Sequence, residues 1–139
     1  MEEYIMTIDE GTTSARAVLF NKDSEIIAIC AKEFAQYYPQ PGWVEQDPKE
    51  IWLTTKEVIN RVVLQAGIDP RQIKAAGITN QRETVVVYDK NTGEPVYNAI
   101  GWADRRTAPY CDELKAAGKE QMFIDKTGLL IDGYFPVQK

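Results

Sequence analysis

Two apolar runs joined by a short polar tip constrain this chain more than any other feature of it. Tyr4-Ile5-Met6-Thr7-Ile8 and Ala17-Val18-Leu19-Phe20 flank Asp9-Glu10-Gly11-Thr12-Thr13-Ser14-Ala15-Arg16. Each run reads as a buried strand, which makes the polar middle a hairpin tip. The tip has the chemistry of a phosphate cradle. Gly11 lets backbone N–H groups approach an anion, Thr12, Thr13 and Ser14 add hydroxyl donors, Arg16 adds a fixed positive charge, and Asp9 can hold a hydrated cation. A nucleotide with its magnesium suits that set. An ordinary hairpin with a polar tip has the same pattern, and the tip alone does not choose between the two.

Beyond the hairpin, the polar turn Asn21-Lys22-Asp23-Ser24 leads into a third strand over residues 25–34. Pro39, Pro41 and Gly42 interrupt regular structure in residues 35–46, while Tyr37, Tyr38 and Trp43 supply area to anchor an ordered loop; an aromatic binding platform is the alternative. Asp47-Pro48-Lys49-Glu50 starts a helix, with Asp as N-cap, Pro at the first helical position and Glu three residues after the cap. Ile51, Thr55, Val58, Ile59, Val62 and Ala66 then recur at helical spacing as one buried stripe, and Gly67 supplies the stop. Asp69-Pro70-Arg71-Gln72 repeats the start signal for a single turn. Residues 73–79 read as a strand whose small side chains suit close packing by a helix.

Three strands, a helix and a strand in this order predict a mixed α/β sheet, with the fourth strand brought beside the first by a crossover. Ligands bind such sheets off the carboxyl ends of the strands, where Thr79-Asn80-Gln81-Arg82-Glu83-Thr84 falls. Residues 85–88 and 97–100 are expected to form a hairpin around residues 89–95. Asp104 is expected to cap a helix running to about residue 117, with Gly118 as its stop, and a short helix follows near residues 120–125. No repeat, low-complexity tract or linker interrupts the chain, so one domain with a single core is expected.

Several function classes drop out on composition. Sixteen Lys and Arg stand against 21 Asp and Glu, a net charge of −5, with no basic stripe to track nucleic acid. Cys30 and Cys111 form no C-x-x-C, which disfavours a zinc site or a disulfide scaffold and fits buried thiols in a reducing cytoplasm. The acidic start Met1-Glu2-Glu3-Tyr4 lacks a signal-peptide pattern, and no segment is long enough to span a membrane as a helix. The chain has no histidine, so Ser-His-Asp chemistry, Cys-His chemistry and His-ligated metals are excluded within it.

Arg82 and Glu83 are adjacent and oppositely charged at a strand end, and Trp102 ends another strand nearby in the chain. A small polyol would suit them: Arg donates in a fork to one hydroxyl, Glu accepts from the next, and the indole covers the carbon backbone. A surface ion pair beside a core tryptophan is the other reading of the same residues.

Taken together, Asp9-Glu10-Gly11-Thr12-Thr13-Ser14-Ala15-Arg16, Pro41-Gly42-Trp43-Val44-Glu45-Gln46-Asp47-Pro48, Gly77-Ile78-Thr79-Asn80-Gln81-Arg82-Glu83-Thr84, Tyr97-Asn98-Ala99-Ile100-Gly101-Trp102 and Arg105-Arg106-Thr107 resemble the glycerol kinases of the FGGY carbohydrate kinase family. The first motif is shared across the wider actin-like ATPase group, whereas Asn80-Gln81-Arg82-Glu83-Thr84 with the later Asn98-Ala99-Ile100-x-Trp102 is specific to glycerol kinases. The resemblance implies a ribonuclease H-like, actin-like ATPase fold: a mixed sheet with flanking helices, here an incomplete domain forming the N-terminal part of the first FGGY kinase domain over residues 1–139.

In the same terms, Arg82, Glu83, Trp102 and Tyr134 match residues that line the glycerol pocket. Thr12, Thr13, Ser14 and Arg16 match residues facing the nucleotide phosphates, and Asp9 matches one near magnesium. The resemblance implies ATP-dependent phosphorylation of glycerol, with ATP and magnesium as cofactors, glycerol and ATP/ADP as ligands, and a cytoplasmic homo-oligomer as the whole protein. The family's general base is an aspartate of a Gly-Asp-Gln motif, and a second domain holds adenosine; both are expected beyond residue 139, so no catalytic residue is assigned within this chain. Glu10 departs from the family's usual Gln, Gln46 from a common His, and Asp132-Gly133-Tyr134-Phe135-Pro136-Val137-Gln138-Lys139 from Asp-Pro-Tyr-Phe-Ser and its sequel. A kinase for a related sugar such as xylulose is disfavoured by Arg82, Glu83 and Trp102 occurring together. A non-catalytic folding or interaction module, with an uncovered sheet edge available for pairing, is the alternative from a different class.

Overall fold

The computed structural model describes residues 2–135, so Pro136-Val137-Gln138-Lys139, half of the divergent C-terminal stretch, lie outside the described residues. The chain divides into two compact units: residues up to Ala35 together with Asp47–Gln81, and Gln36–Gln46 together with the residues from Arg82 on. The two interleave along the sequence, so no linker marks the division, and each buries side chains of its own where a single core was expected.

The first unit is a four-stranded sheet with one long helix. Strands β1 (Tyr4–Glu10), β2 (Ser14–Asn21) and β3 (Ile26–Glu33) form an antiparallel meander, and β5 (Ile73–Thr79) joins β1 in parallel, giving the order β3-β2-β1-β5. Helix α1 (Pro48–Ala66) supplies the crossover between them. Register decides which side chains face the helix. Met6 pairs with Leu19, Ile8 with Ala17 and Glu10 with Ala15, so these residues share one face of the sheet. On that face Leu19, Ala15 and Ala17 are fully buried against Val58 and Val62 of α1. The alanines let the helix approach closely, and the larger side chains around them supply the apolar area that stabilises the pair.

The start and stop of α1 lie where the sequence puts them. Asp47 accepts a hydrogen bond from the Lys49 N–H at 2.8 Å, Pro48 opens the helix, and Gly67 ends it with φ +64°. The following turn, Pro70–Gln72, is a single 3₁₀ turn closed by a reciprocal capping box between Asp69 and Gln72. One expectation for β5 fails. Its Ala75, Ala76 and Gly77 are exposed, because α1 lies over β2 and β3 rather than over β5. An Ala-Ala-Gly run offers a helix far less apolar area than Leu19 with Met6 and Ile8, so the helix settles where burial stabilises most.

The second unit has little regular structure. Its sheet is the two-residue pairing of β4 (Glu45–Gln46) with β6 (Ala99–Ile100). Single bridges extend the pairing on both sides, Tyr37 to Glu45 and Val85 to Ile100, laying four segments side by side. Residues 35–46 are therefore not only a loop, and residues 97–100 pair with β4 as well as with Val85. The hairpin expected around residues 89–95 forms as isolated contacts, Asp89 N–H to Glu94 O at 2.8 Å and Val96 N–H to Val87 O at 3.0 Å, rather than as two regular strands. Helices α2 (Ala108–Ala116) and α3 (Glu120–Thr127) follow.

Candidate functional site

At the hairpin tip the turn is closed by the Gly11 N–H donating to Ser14 O at 2.9 Å, and a Cβ on residue 11 would stand 3.0 Å from that oxygen. Glycine is what the turn tolerates. Thr12 and Thr13 are exposed at its crest, and Ser14 opens β2. Asp9 and Arg16 are direct cross-strand partners, on the face opposite the one that meets α1. The residue set fits a magnesium nucleotide: hydroxyl donors, one cation, and a single carboxylate of the kind a largely hydrated Mg²⁺ uses alongside phosphate oxygens. Among the described residues no group of three or more metal-ligating side chains gathers.

Glu10, the departure beside this tip, points the other way. Its Oε1 lies 2.7 Å from the Thr55 hydroxyl of α1, which also lies 2.8 Å from Ile51 O, and its Oε2 is buried without a partner. Alternation along β1 thus sends the Glu10 carboxylate to the helix side and Asp9 to the opposite side. Gln46, the second departure, is fully buried and donates from Nε2 to Gln36 Oε1 at 2.9 Å, a packing role within the second unit.

The residues expected to hold a polyol all fall in the second unit. Arg82 is exposed, and Glu83 beside it has φ +66°, a left-handed conformation that non-glycine residues rarely adopt. Val85 and Ile100 exchange both backbone hydrogen bonds at 2.9 Å, an isolated bridge two residues along the chain from Glu83 on one side and from Trp102 on the other. Trp102 in turn meets Tyr134, with ring centroids 6.0 Å apart and planes at 66°. Tyr134 is held by Asp132, whose Oδ1 accepts the Tyr134 N–H at 2.8 Å and a bond from Arg105 Nη1 at 2.9 Å. The Tyr134 backbone N–H and the Arg105 charge outweigh burial and keep the Asp132 carboxyl below the usual carboxylate range.

Asp104 does not cap α2. Thr107 occupies the cap position without a side-chain hydrogen bond, and the Asp104 carboxylate is fully buried elsewhere. Asp104 Oδ2 accepts from the Val44 N–H at 2.7 Å, and its two oxygens take the Arg106 fork through Nε and Nη2, each at 2.9 Å. Arg106 Nη2 also donates to Glu45 Oε1 at 2.8 Å, and its guanidinium lies 3.9 Å over the Trp43 ring. Asn98 and Tyr97 complete the Glu45 carboxylate at 2.9 and 3.2 Å. Burial pushes both carboxyls up, but the hydrogen bonds win: those from Asn98, Arg106 and Tyr97 hold Glu45 below the usual range, and those from Arg106 and Val44 do the same for Asp104. Residue periodicity could not find this network, because its members come from segments 60 residues apart; the one signal was a pair of adjacent arginines after an Asp in an otherwise acidic chain.

The comparisons with known proteins bear on the whole chain. A glycerol kinase from Chromobacterium violaceum is 56% identical over 138 residues, 99% of this chain and 28% of that protein. Among solved structures, gluconate kinase from Lactobacillus acidophilus superposes with a TM-score of 0.90 at 26% identity, covering 99% of this chain and 27% of its own. Plasmodium falciparum glycerol kinase with ADP superposes at 0.88 and 30% identity, covering 99% of this chain and 28% of its own. The chain thus spans little more than a quarter of the length of the proteins it matches, and its mixed sheet with flanking helices is part of an actin-like ATPase fold. Residues 4–139 match the N-terminal domain of the FGGY carbohydrate kinases, and the chain belongs to that family.

Proposed function

We propose that the protein carrying this chain phosphorylates glycerol to glycerol 3-phosphate with ATP, a phosphotransfer to an alcohol, and that residues 1–139 form the N-terminal part of its first kinase domain. The carrying observation is the packing of Trp102 against Tyr134, two of the residues matched to the polyol pocket, within a chain 56% identical to a relative named glycerol kinase. Arg82 and Glu83 bind the polyol hydroxyls, and Trp102 with Tyr134 covers its carbon backbone. In the first unit Thr12, Thr13, Ser14 and Arg16 hold the nucleotide phosphates. Asp9 would hold a hydrated magnesium indirectly, and that ion would supply neutralisation of phosphate charge.

Phosphoryl transfer depends on positioning and charge neutralisation, and this chain supplies residues for both. No residue of the chain is assigned the general base: Glu83 is committed to the polyol, and histidine is absent. The reading extends to a homo-oligomeric protein of the cytoplasm, supported there by two cysteines that stand free rather than paired. No helix among the described residues is long and apolar enough to cross a membrane. Glycerol is preferred over sugar acids because the identity to glycerol kinase is 56%, against 26% to gluconate kinase. The test is ATP-dependent phosphorylation by the whole protein with glycerol, xylulose and gluconate in parallel. Glycerol is expected to give the highest kcat/KM, and a preference for either competitor would overturn the assignment.

A further inference from the structure

We infer that Arg106, with Asp104 and Glu45, is a positioning residue for Trp102 and thereby for the polyol; the inference rests on the assignment of Trp102 to the substrate made above. Trp102 is carried by a turn clamped at both ends to one residue, Val44. At its start the Gly101 N–H donates to Val44 O at 2.9 Å, and at its end the Asp104 carboxylate accepts the Val44 N–H at 2.7 Å. Inside the turn the Asp104 N–H donates to Gly101 O at 3.0 Å. Gly101 has no room to spare: a Cβ there would meet Val44 Cγ1 and O at 3.3 Å.

The far side of the Asp104 carboxylate is held by Arg106, which bridges to Glu45 on β4, the strand that pairs with β6 immediately before the turn. The loop of contacts is therefore closed: β4 to Arg106, Arg106 to Asp104, Asp104 to Val44, and Val44 back to β4 along the chain. Burying two carboxylates with one guanidinium is an inefficient way to gain stability, since well-packed apolar side chains of the same volume often do as well or better. What the charged set adds is direction. The fork on Asp104 has a fixed geometry that a lysine cannot reproduce. Trp102 itself is 39% exposed and meets the Tyr134 ring edge-on, so where its indole stands depends on the turn that carries it together with that contact. Arg106 holds the turn.

The test uses the whole protein with Arg106→Lys, which keeps the charge and removes the planar fork, and Asp104→Asn, which keeps the shape and weakens the pairing if the first variant does not fold. The KM for glycerol is expected to rise roughly tenfold, with kcat and the KM for ATP little changed. In protein labelled with 5-fluorotryptophan, the Trp102 resonance, assigned through Trp102→Phe, is expected to shift while that of Trp52 stays in place. Arg82→Ala is measured alongside. If it raises the glycerol KM and the network variants do not, the positioning role is overturned and the polyol reading stands. If neither moves that KM, the polyol reading falls, and the resonance decides the positioning role: a shifted Trp102 signal sustains it and an unmoved one overturns it.

Discussion

The sheet unit buries Leu19, Val58 and Val62 among apolar neighbours, whereas the loop-rich unit buries Glu45, Gln46 and Asp104 beside Ala99, Cys111 and Ile131. Apolar burial is non-directional and scales with area, so it tolerates small shifts of one element over another. Buried carboxylates paired with a guanidinium tolerate none, because any displaced partner leaves a charge stranded in a medium that solvates it poorly. The comparison teaches where each kind of core is used. The regular sheet holds a hairpin tip in place, and the irregular unit, lacking long strands to hold its loops, uses directional bonds to fix the residues assigned to the polyol.

The largest expected effect is a complete one. The isolated 139-residue chain is expected to form no glycerol 3-phosphate from ATP and glycerol, since no residue of either unit is assigned the general base. Turnover above that of an Arg82→Ala control would place a base in one of the two units.

Next comes a direct contrast of the cores. Arg106→Ala strands two carboxylates and is expected to cost about 3–5 kcal/mol, whereas Leu19→Ala removes apolar contacts at about 2–5 kcal/mol. The sharper distinction lies in what unfolds: amide exchange should rise around Ile100 and Gly101 in the first variant and around Met6 and Ala17 in the second. Loss of protection across both regions in both variants would show that the two cores do not open independently.

Acid should separate them too. Glu45 and Asp104 titrate below their unfolded values, so the unfolded chain binds more protons in the window between folded and unfolded pKa. Their stabilisation is complete above the ordinary carboxylate range and is lost as pH falls through the lower folded values. In the first unit the apolar cluster carries no carboxylate, and Glu10, on the same face, meets Thr55 of α1 at the far end of β1. Amides near Gly101 are expected to lose protection at higher pH than those of Met6 and Leu19, and the reverse order would contradict the comparison. The smallest effect is at the helix start: Asp47→Ala removes the cap and should cost about 1 kcal/mol, read from the thermal midpoint, with the second unit's amides unaffected.

The contrast also governs what could be read from the sequence. The β1-β2 hairpin, the bounds of α1 and the parallel placement of β5 were legible because alternation, helical spacing and the Asp47-Pro48 and Gly67 signals are local and periodic. Pairing of β4 with β6 was not, since two-residue strands carry no period. Asp104 misled for a physical reason: an Asp shortly before a helix has the form of a cap, and only tertiary structure reveals that Val44 and Arg106 compete for the same oxygens. Of the candidate residues, Asp9 and Arg16 were legible as members of the hairpin but were read as part of its tip, whereas they stand within β1 and β2 as a cross-strand pair. Arg82, Glu83 and Trp102 were singled out by charge and strand-end position, with a surface ion pair beside a core tryptophan as the other reading, whereas Tyr134 was reached through resemblance, because the ring contact that brings it to Trp102 is non-local. The left-handed backbone of Glu83 has no signature in its residue type.

The central claim is that the second unit binds the polyol, and Arg82 tests it most directly. In the whole protein, Arg82→Ala removes charge-assisted hydrogen bonds worth roughly 1.5–3 kcal/mol, so the KM for glycerol should rise by about one to two orders of magnitude. The KM for ATP, assigned to the other unit, should change little. Unchanged glycerol kinetics in a folded Arg82→Ala protein would contradict the account.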